Sequence, residues 1–210
     1  MGNREDLLAG AKRCLYEKGY GRTTARDIAA AAGGVSLAAI GYHFGSKEKL
    51  LNAAMMQATV EWGEELERVL ATETDPDDTP MERFEAAWAR VVESLAAHRP
   101  LWAAQFEIFA QIDRAPDIRE FLADAQRQGR LGLASLLQNI DPAVDVEKAR
   151  VVGGFYHALL SGVLVQWLTD PESAPSGRDL ADALRIIVTD IGSVDQTASL
   201  SSQGFGDPKS

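Results

Sequence analysis

Two helix-start signals stand only ten residues apart, at Ser36 and at Ser46-Lys47-Glu48, with Tyr42-His43-Phe44 between them. They lie in GGVSLAAIGYHFGSKEKLL, which runs from Gly33 to Leu51. A helix that fits between these starts has room for about two turns. It can bury little, so its use must lie in the face it exposes and in the elements that hold it.

The surrounding pattern is helical throughout, with apolar residues at three- and four-residue steps and no strand-like alternation. Leu7, Leu8, Ala11, Cys14 and Leu15 give a first helix over about 4–18, stopped at Gly19. Thr24 with Asp27 three residues on forms a capping-box start, so a second helix should run from there to Gly33-Gly34. Ser36 caps a third through Phe44, and Ser46 a fourth, long one to about Leu70. Further helices are expected at roughly 81–97, 100–113, 117–139, 145–169 and 178–193, with breaks at Pro100, Pro116, Asp141-Pro142 and DPESAPSG. The Ser/Gly/Gln-rich end, 194–210, reads as a disordered tail.

Three short helices followed by a long one, with a glycine turn between the second and third, spell a helix-turn-helix. Val35, Ile40 and Phe44 then face inward, leaving Leu37, Ala39, Gly41, Tyr42 and His43 outward. The tyrosine hydroxyl, the imidazole and Lys47 suit phosphate oxygens at the start of the fourth helix. Charge points the same way. Residues 1–50 hold eight Lys/Arg against five acids, while the remainder holds thirteen bases against 26 acids. A net charge of −10 therefore hides a basic head on an acidic body, and the head is where a polyanion would bind.

The same residues carry a resemblance. TTARDIAAAAGGVSLAAIGYHFGSKEKLL is similar to the N-terminal DNA-binding domain of the TetR family of bacterial transcription regulators. The family pattern is matched at Thr24, Ile28, Ala29, Val35, Ser36, Ile40, Tyr42, His43, Phe44, Ser46, Lys47, Glu48 and Leu50. Two departures stand out: the turn carries one more glycine than usual, and Gly41 replaces a frequent aromatic. The resemblance implies an all-α chain: a three-helix helix-turn-helix head followed by a larger helical domain for effector binding and dimerisation, about nine helices in all. The expected division is 1–50 for the head, 51–193 for the body and 194–210 for the tail. DNA contacts are assigned to Thr24, Arg26, Ser36, Leu37, Ala39, Tyr42, His43 and Lys47. Leu37 and Ala39 can touch thymine methyls. Arg26 either reaches DNA or pairs with Asp27 or Glu48; His43 either reaches phosphate or packs beside Phe44.

The resemblance also implies an isologous homodimer on a palindromic operator, with recognition helices about 34–36 Å apart. Its interface falls on the last two helices, at Gly153, Leu160, Leu164, Trp167, Leu184, Ile187 and Ile191. An unknown small effector would meet Trp88, Trp102, Phe106, Phe109, Phe121 and Tyr156, with Glu107 and His157 orienting its polar group. Repression relieved by that effector is the expected mode. A regulator without a small ligand and, less favoured, an all-helical enzyme are the alternatives. Against the enzyme, His43, His98, His157 and Cys14 show no metal-ligand spacing, and GYGRTT lacks a phosphate loop's third glycine. No cofactor or metal is expected.

The apolar run Val151–Thr169 approaches the length of a membrane span, but His157, Gln166 and three glycines favour a helix buried on most faces. One cysteine and the charged start MGNREDLL suit a cytoplasmic, nucleoid-associated protein away from membranes.

Overall fold

The computed structural model describes residues 3–73, 77–110, 112 and 116–203. Among these the chain is all-helical, with nine helices and no strand. They are α1 (Asn3–Lys18), α2 (Ala25–Ala31), α3 (Leu37–Phe44), α4 (Lys47–Glu73), α5 (Pro80–Ala97), α6 (Arg99–Phe109), α7 (Pro116–Gln138), α8 (Val146–Thr169) and α9 (Gly177–Gln203). α9 continues over 194–203, where a disordered tail is expected, because no glycine or proline interrupts the chain between Ser193 and Gly204. Residues 204–210 of that expected tail lie outside the described residues.

α1, α2 and α3 close a small core on the first turns of α4. Leu7, Leu15, Ile28, Leu50 and Leu51 have no exposed surface, each worth about 1.5–3 kcal/mol of burial. The Tyr20 hydroxyl donates to Asn52 Oδ1 at 2.9 Å beneath this core. Burial, helped by Glu48, pushes the Tyr20 phenol up to about 12. α4 then leaves the head and runs on into the body. The expected division after residue 50 thus falls inside a continuous helix.

In the body, α7 packs along α8 and α5 along α9, while α6 lies between α1 and α8. Trp62 and Trp102 meet edge to face at 4.8 Å, and Trp62 Nε1 donates to Ser94 Oγ at 3.0 Å. Phe84, Trp88 and Tyr156 form a second aromatic cluster, with the rings of Trp88 and Tyr156 stacked.

α8 departs from expectation. It is long and apolar enough to cross a membrane, with mean hydropathy 1.4, yet only 28% of that apolar window is buried within the chain. Gly153, Tyr156, Val163, Leu164 and Trp167 face α7 and the interior. Val151 and Phe155 stand exposed on the opposite side. The helix is buried on one face, not on most. Its apolar character is divided between an inner and an outer surface.

Candidate functional site

The recognition end of the head is built from turn chemistry. Thr24 Oγ1 accepts from the Asp27 N–H at 3.2 Å, and the Thr24 N–H donates to Asp27 Oδ2 at 2.9 Å, closing the capping box at the start of α2. Lys18 Nζ pairs with Asp27 at 2.5 Å. That contact, with the hydroxyl and N–H of Thr24, holds the Asp27 carboxyl far below the usual carboxylate range. α2 ends at Ala31, and the two glycines absorb the lengthened turn in left-handed backbone, φ 84° at Gly33 and 85° at Gly34. A side chain at either would be strained in that geometry.

α3 is eight residues long and rests on Ile40, which is 4% exposed. Tyr42 is 86% exposed and Leu37 is 49% exposed. Ser36 occupies the cap position with an extended backbone but its hydroxyl makes no capping bond, contrary to the sequence reading. The α3 start is instead closed by the Ala39 N–H on the Ser36 carbonyl, at 3.0 Å, so the hydroxyl is not consumed by the helix. Ala39 itself is a correction. It is 8% exposed and turns into the head, because α3 is wedged between α1, α2 and α4 and buries both Ala39 and Ile40. Ala39 has no surface to offer DNA.

The charged neighbours sort out as follows. Arg26 is exposed, and among the described residues neither expected ion pair forms: Asp27 is held by Lys18 and Glu48 lies 3.4 Å from Lys47. His43 is half-buried and packs edge-on against Tyr42 at 4.9 Å rather than on Phe44. Lys47 is partly committed, since its Nζ donates to the Thr23 carbonyl at 3.1 Å and so pins α4 to the α1–α2 turn. Sequence reasoning missed Arg4. Its guanidinium lies 5.2 Å over the Phe44 ring, bringing an α1 cation to the end of α3. Only the count of bases in the head hinted at it.

The body holds an apolar cavity of about 710 Å³, open on one side, between α4, α6, α7 and α8. Five of the expected effector residues meet there: Trp102, Phe106, Phe109, Phe121 and His157. α4 adds Met55, Met56, Trp62 and Gly63, plus the carboxylates Glu64 and Glu67. These were not singled out, because the sequence reading drew the pocket wall from the aromatic-rich helices beyond α4. Trp102 is 3% exposed and its Nε1–H has no hydrogen-bond partner. Burial, then the charge of Arg130, lowers the His157 pKa, so this imidazole is neutral at physiological pH.

Three expected effector residues lie elsewhere. Trp88 and Tyr156 border a separate hollow of about 760 Å³ beside α5 and the end of α7. There Gln138 Nε2 donates to the Tyr156 hydroxyl at 2.6 Å. Glu107 is on the opposite face of α6 from the cavity, because one residue after Phe106 is a rotation of about 100°. It accepts the Gly21 N–H at 2.6 Å, tying α6 to the α1–α2 turn. At the other end of α6, the Tyr16 hydroxyl and His98 Nδ1 are 3.2 Å apart, and His98 Nε2 is 3.3 Å from Glu65.

The expected dimer residues divide as α8 does. Gly153, Leu164 and Trp167 are buried inside the chain, and Leu160 borders the cavity. A Cβ on Gly153 would fall on the Arg130 carbonyl oxygen and 2.6 Å from its carbon, so this glycine serves the α7–α8 contact. Leu184 is half-buried, whereas Ile187 and Ile191 are exposed alongside Ile186 and Val188 on α9.

Comparison with known proteins agrees with this layout. Residues 7–54 match a family model described as bacterial regulatory proteins, tetR family. Residues 79–190 match one described as the tetracyclin repressor-like C-terminal domain. The probable regulator ArpR of Pseudomonas putida is 28% identical over 186 residues, covering 81% of this chain and 82% of that protein. The repressor AcnR of Corynebacterium efficiens is 42% identical over 66 residues, covering 29% of this chain and about a third of that protein, 35%. Among solved structures, the multidrug binding protein EbrR complexed with imidazole superposes with a TM-score of 0.61 at 22% identity, over 88% of this chain and 94% of that one.

Proposed function

Because the chain belongs to the TetR family of bacterial regulatory proteins, and is a transcriptional regulator rather than an enzyme, we propose that it is a dimeric repressor released from its operator by a small apolar or amphipathic effector. Residues 1–50 act as the DNA-binding head and 51–193 as the ligand-binding and dimerisation body. Thr24, Arg26, Ser36, Leu37, Tyr42, His43 and Lys47 face a palindromic operator, joined by Arg4. The work is done in the cytoplasm.

One observation carries the reading. α6 presents Phe106 and Phe109 to the cavity and Glu107 to the α1–α2 turn from its other side. A ligand that shifts α6 therefore acts on the turn from which Thr23 and Thr24 hold α4 and α2. Such a ligand moves the protein between DNA-fitting and non-fitting states only by its difference in affinity for the two. That the similarly folded EbrR is a multidrug binding protein supports a small-molecule effector. A cavity of about 710 Å³ speaks against a body with a filled core.

The partner is a second copy. The exposed apolar residues of α8 and α9, with Phe155 at 52% and Ile191 at 61% exposure, are surface that water alone covers poorly. Pairing two such faces gives a four-helix bundle and sets two heads on one operator.

The test is operator binding by fluorescence anisotropy, with Gly63→Trp as a built-in cavity filler. Nothing lies within 4 Å of a Cβ at Gly63, which borders the cavity. An effector should release wild type, and Gly63→Trp should no longer respond. Release of both proteins by the same compound would refute the cavity as its site.

A further inference from the structure

The cavity wall has a charge pattern that an apolar pocket does not require. Among the described residues its lining includes two carboxylates, Glu64 and Glu67, and no lysine or arginine. Both carboxylates are exposed, so they stand at the open side. Among the described residues neither is engaged in an ion pair, although α4 uses its neighbours Glu61 and Glu65 for Lys12 and His98. The wall is otherwise electron-rich aromatic surface, with Trp62 and Trp102 buried and Phe106, Phe109 and Phe121 reaching toward the opening. His157, the one titratable base of the lining, is neutral for the reason given above.

Two forces then act in one direction on a charged guest. The aromatic faces attract a cation through their quadrupoles, and more strongly where water is excluded. The two carboxylates attract it across the mouth. An anion meets the reverse of both. The buried Trp102 Nε1–H, which lacks a partner, adds a donor for an acceptor atom on the guest.

Resting on the reading of this cavity as the effector site, we propose that it selects a flat lipophilic cation whose charge lies toward Glu64 and Glu67. Shape alone would accept neutral and anionic rings of the same size; charge makes the choice.

The experiment uses three three-ring probes and the full chain: proflavin (cationic), acridone (neutral) and anthracene-9-carboxylate (anionic), each titrated calorimetrically at neutral pH. Proflavin should bind at least about tenfold more tightly than acridone, the size expected of cation–π and mouth-charge attraction together. The carboxylate should bind more weakly still. The preference of proflavin over acridone should shrink about fivefold in Glu64→Gln/Glu67→Gln, and it should shrink in high salt as screening removes the mouth term. Gly63→Trp should abolish proflavin binding, which separates the cavity from the acidic outer surface. Equal or tighter binding of acridone or the carboxylate overturns the cation preference while leaving the effector site intact. So does proflavin binding that survives Gly63→Trp. If none of the three probes binds, the effector site itself is overturned, and the preference with it.

Discussion

Adjacent structure makes Gly153 the position where one carbon atom should matter most. In Gly153→Ala the added Cβ would clash with the Arg130 carbonyl oxygen and lie 2.6 Å from Arg130 C and 3.2 Å from its Cα. All three are backbone atoms of α7, so no rotamer change relieves the clash and the two helices must move apart. Overpacking a fitted core costs typically 1–3 kcal/mol, and a backbone obstacle belongs at about 3. Alanine returns about 1 kcal/mol through its better helix propensity. The net loss is about 2 kcal/mol, or about 4–8 °C in Tm for a chain of this size. Gly63→Ala is the counterpart. It sits inside α4 with nothing near its Cβ, so propensity acts alone and Tm should rise by about 1–4 °C. Both are read by thermal unfolding at one protomer concentration, because the proposed dimerisation would make Tm concentration-dependent. A Gly153→Ala protein as stable as wild type would refute the close α7–α8 contact.

Arg26→Ala should weaken operator binding and flatten the dependence of log affinity on log salt by about one unit, as loss of one phosphate contact requires; an unchanged slope would remove Arg26 from the interface. Tyr42→Phe should weaken operator binding without altering that slope, since it removes a hydrogen bond and no charge. Glu107→Ala should leave effector binding to the cavity in place but reduce the effector's power to release operator, measured as the ratio of operator Kd with and without effector; an unchanged ratio would break the α6 link. Asp27 gives a pH test. Its folded pKa is depressed by Lys18 and Thr24, so its stabilisation is present above the ordinary Asp value of about 3.9 and is lost as pH falls below it. Urea midpoints of wild type and Asp27→Asn should therefore differ at neutral pH and converge in acid, and a constant gap would contradict the Lys18–Asp27 contact.

Much of the head was legible in the sequence because its determinants are local. Thr24 and Asp27 are three residues apart and form the box that spacing demands; Gly33-Gly34 supply the two positive φ angles of a longer turn. Ser46 likewise accepts the Lys49 N–H at 3.1 Å to start α4. Ala39 escaped because on a two-turn helix wedged among three others the inward arc is wider than a stripe. The body was legible in helix order but not in facing. The apolar stretch of α8 runs round the helix, so nothing in its composition separates inward Leu164 and Trp167 from outward Val151 and Phe155. That division depends on where α7 lies, which is tertiary information. Glu107 could have been placed: between Phe106 and Phe109, a carboxylate one residue on from a cavity aromatic points away from it. The contribution of α4 could not, because a single helix serves the head core at Leu50 and Leu51 and the cavity wall at Met55 and Trp62.

The most direct test of the account is selection of short duplexes by the purified protein from fragments of its own genome at moderate salt. A dimeric regulator of this build should recover one palindromic site with half-sites about 34–36 Å apart, a single turn of DNA. Recovery of no preferred sequence would contradict the assignment of α3 as a reading helix behind its lengthened Gly33-Gly34 turn.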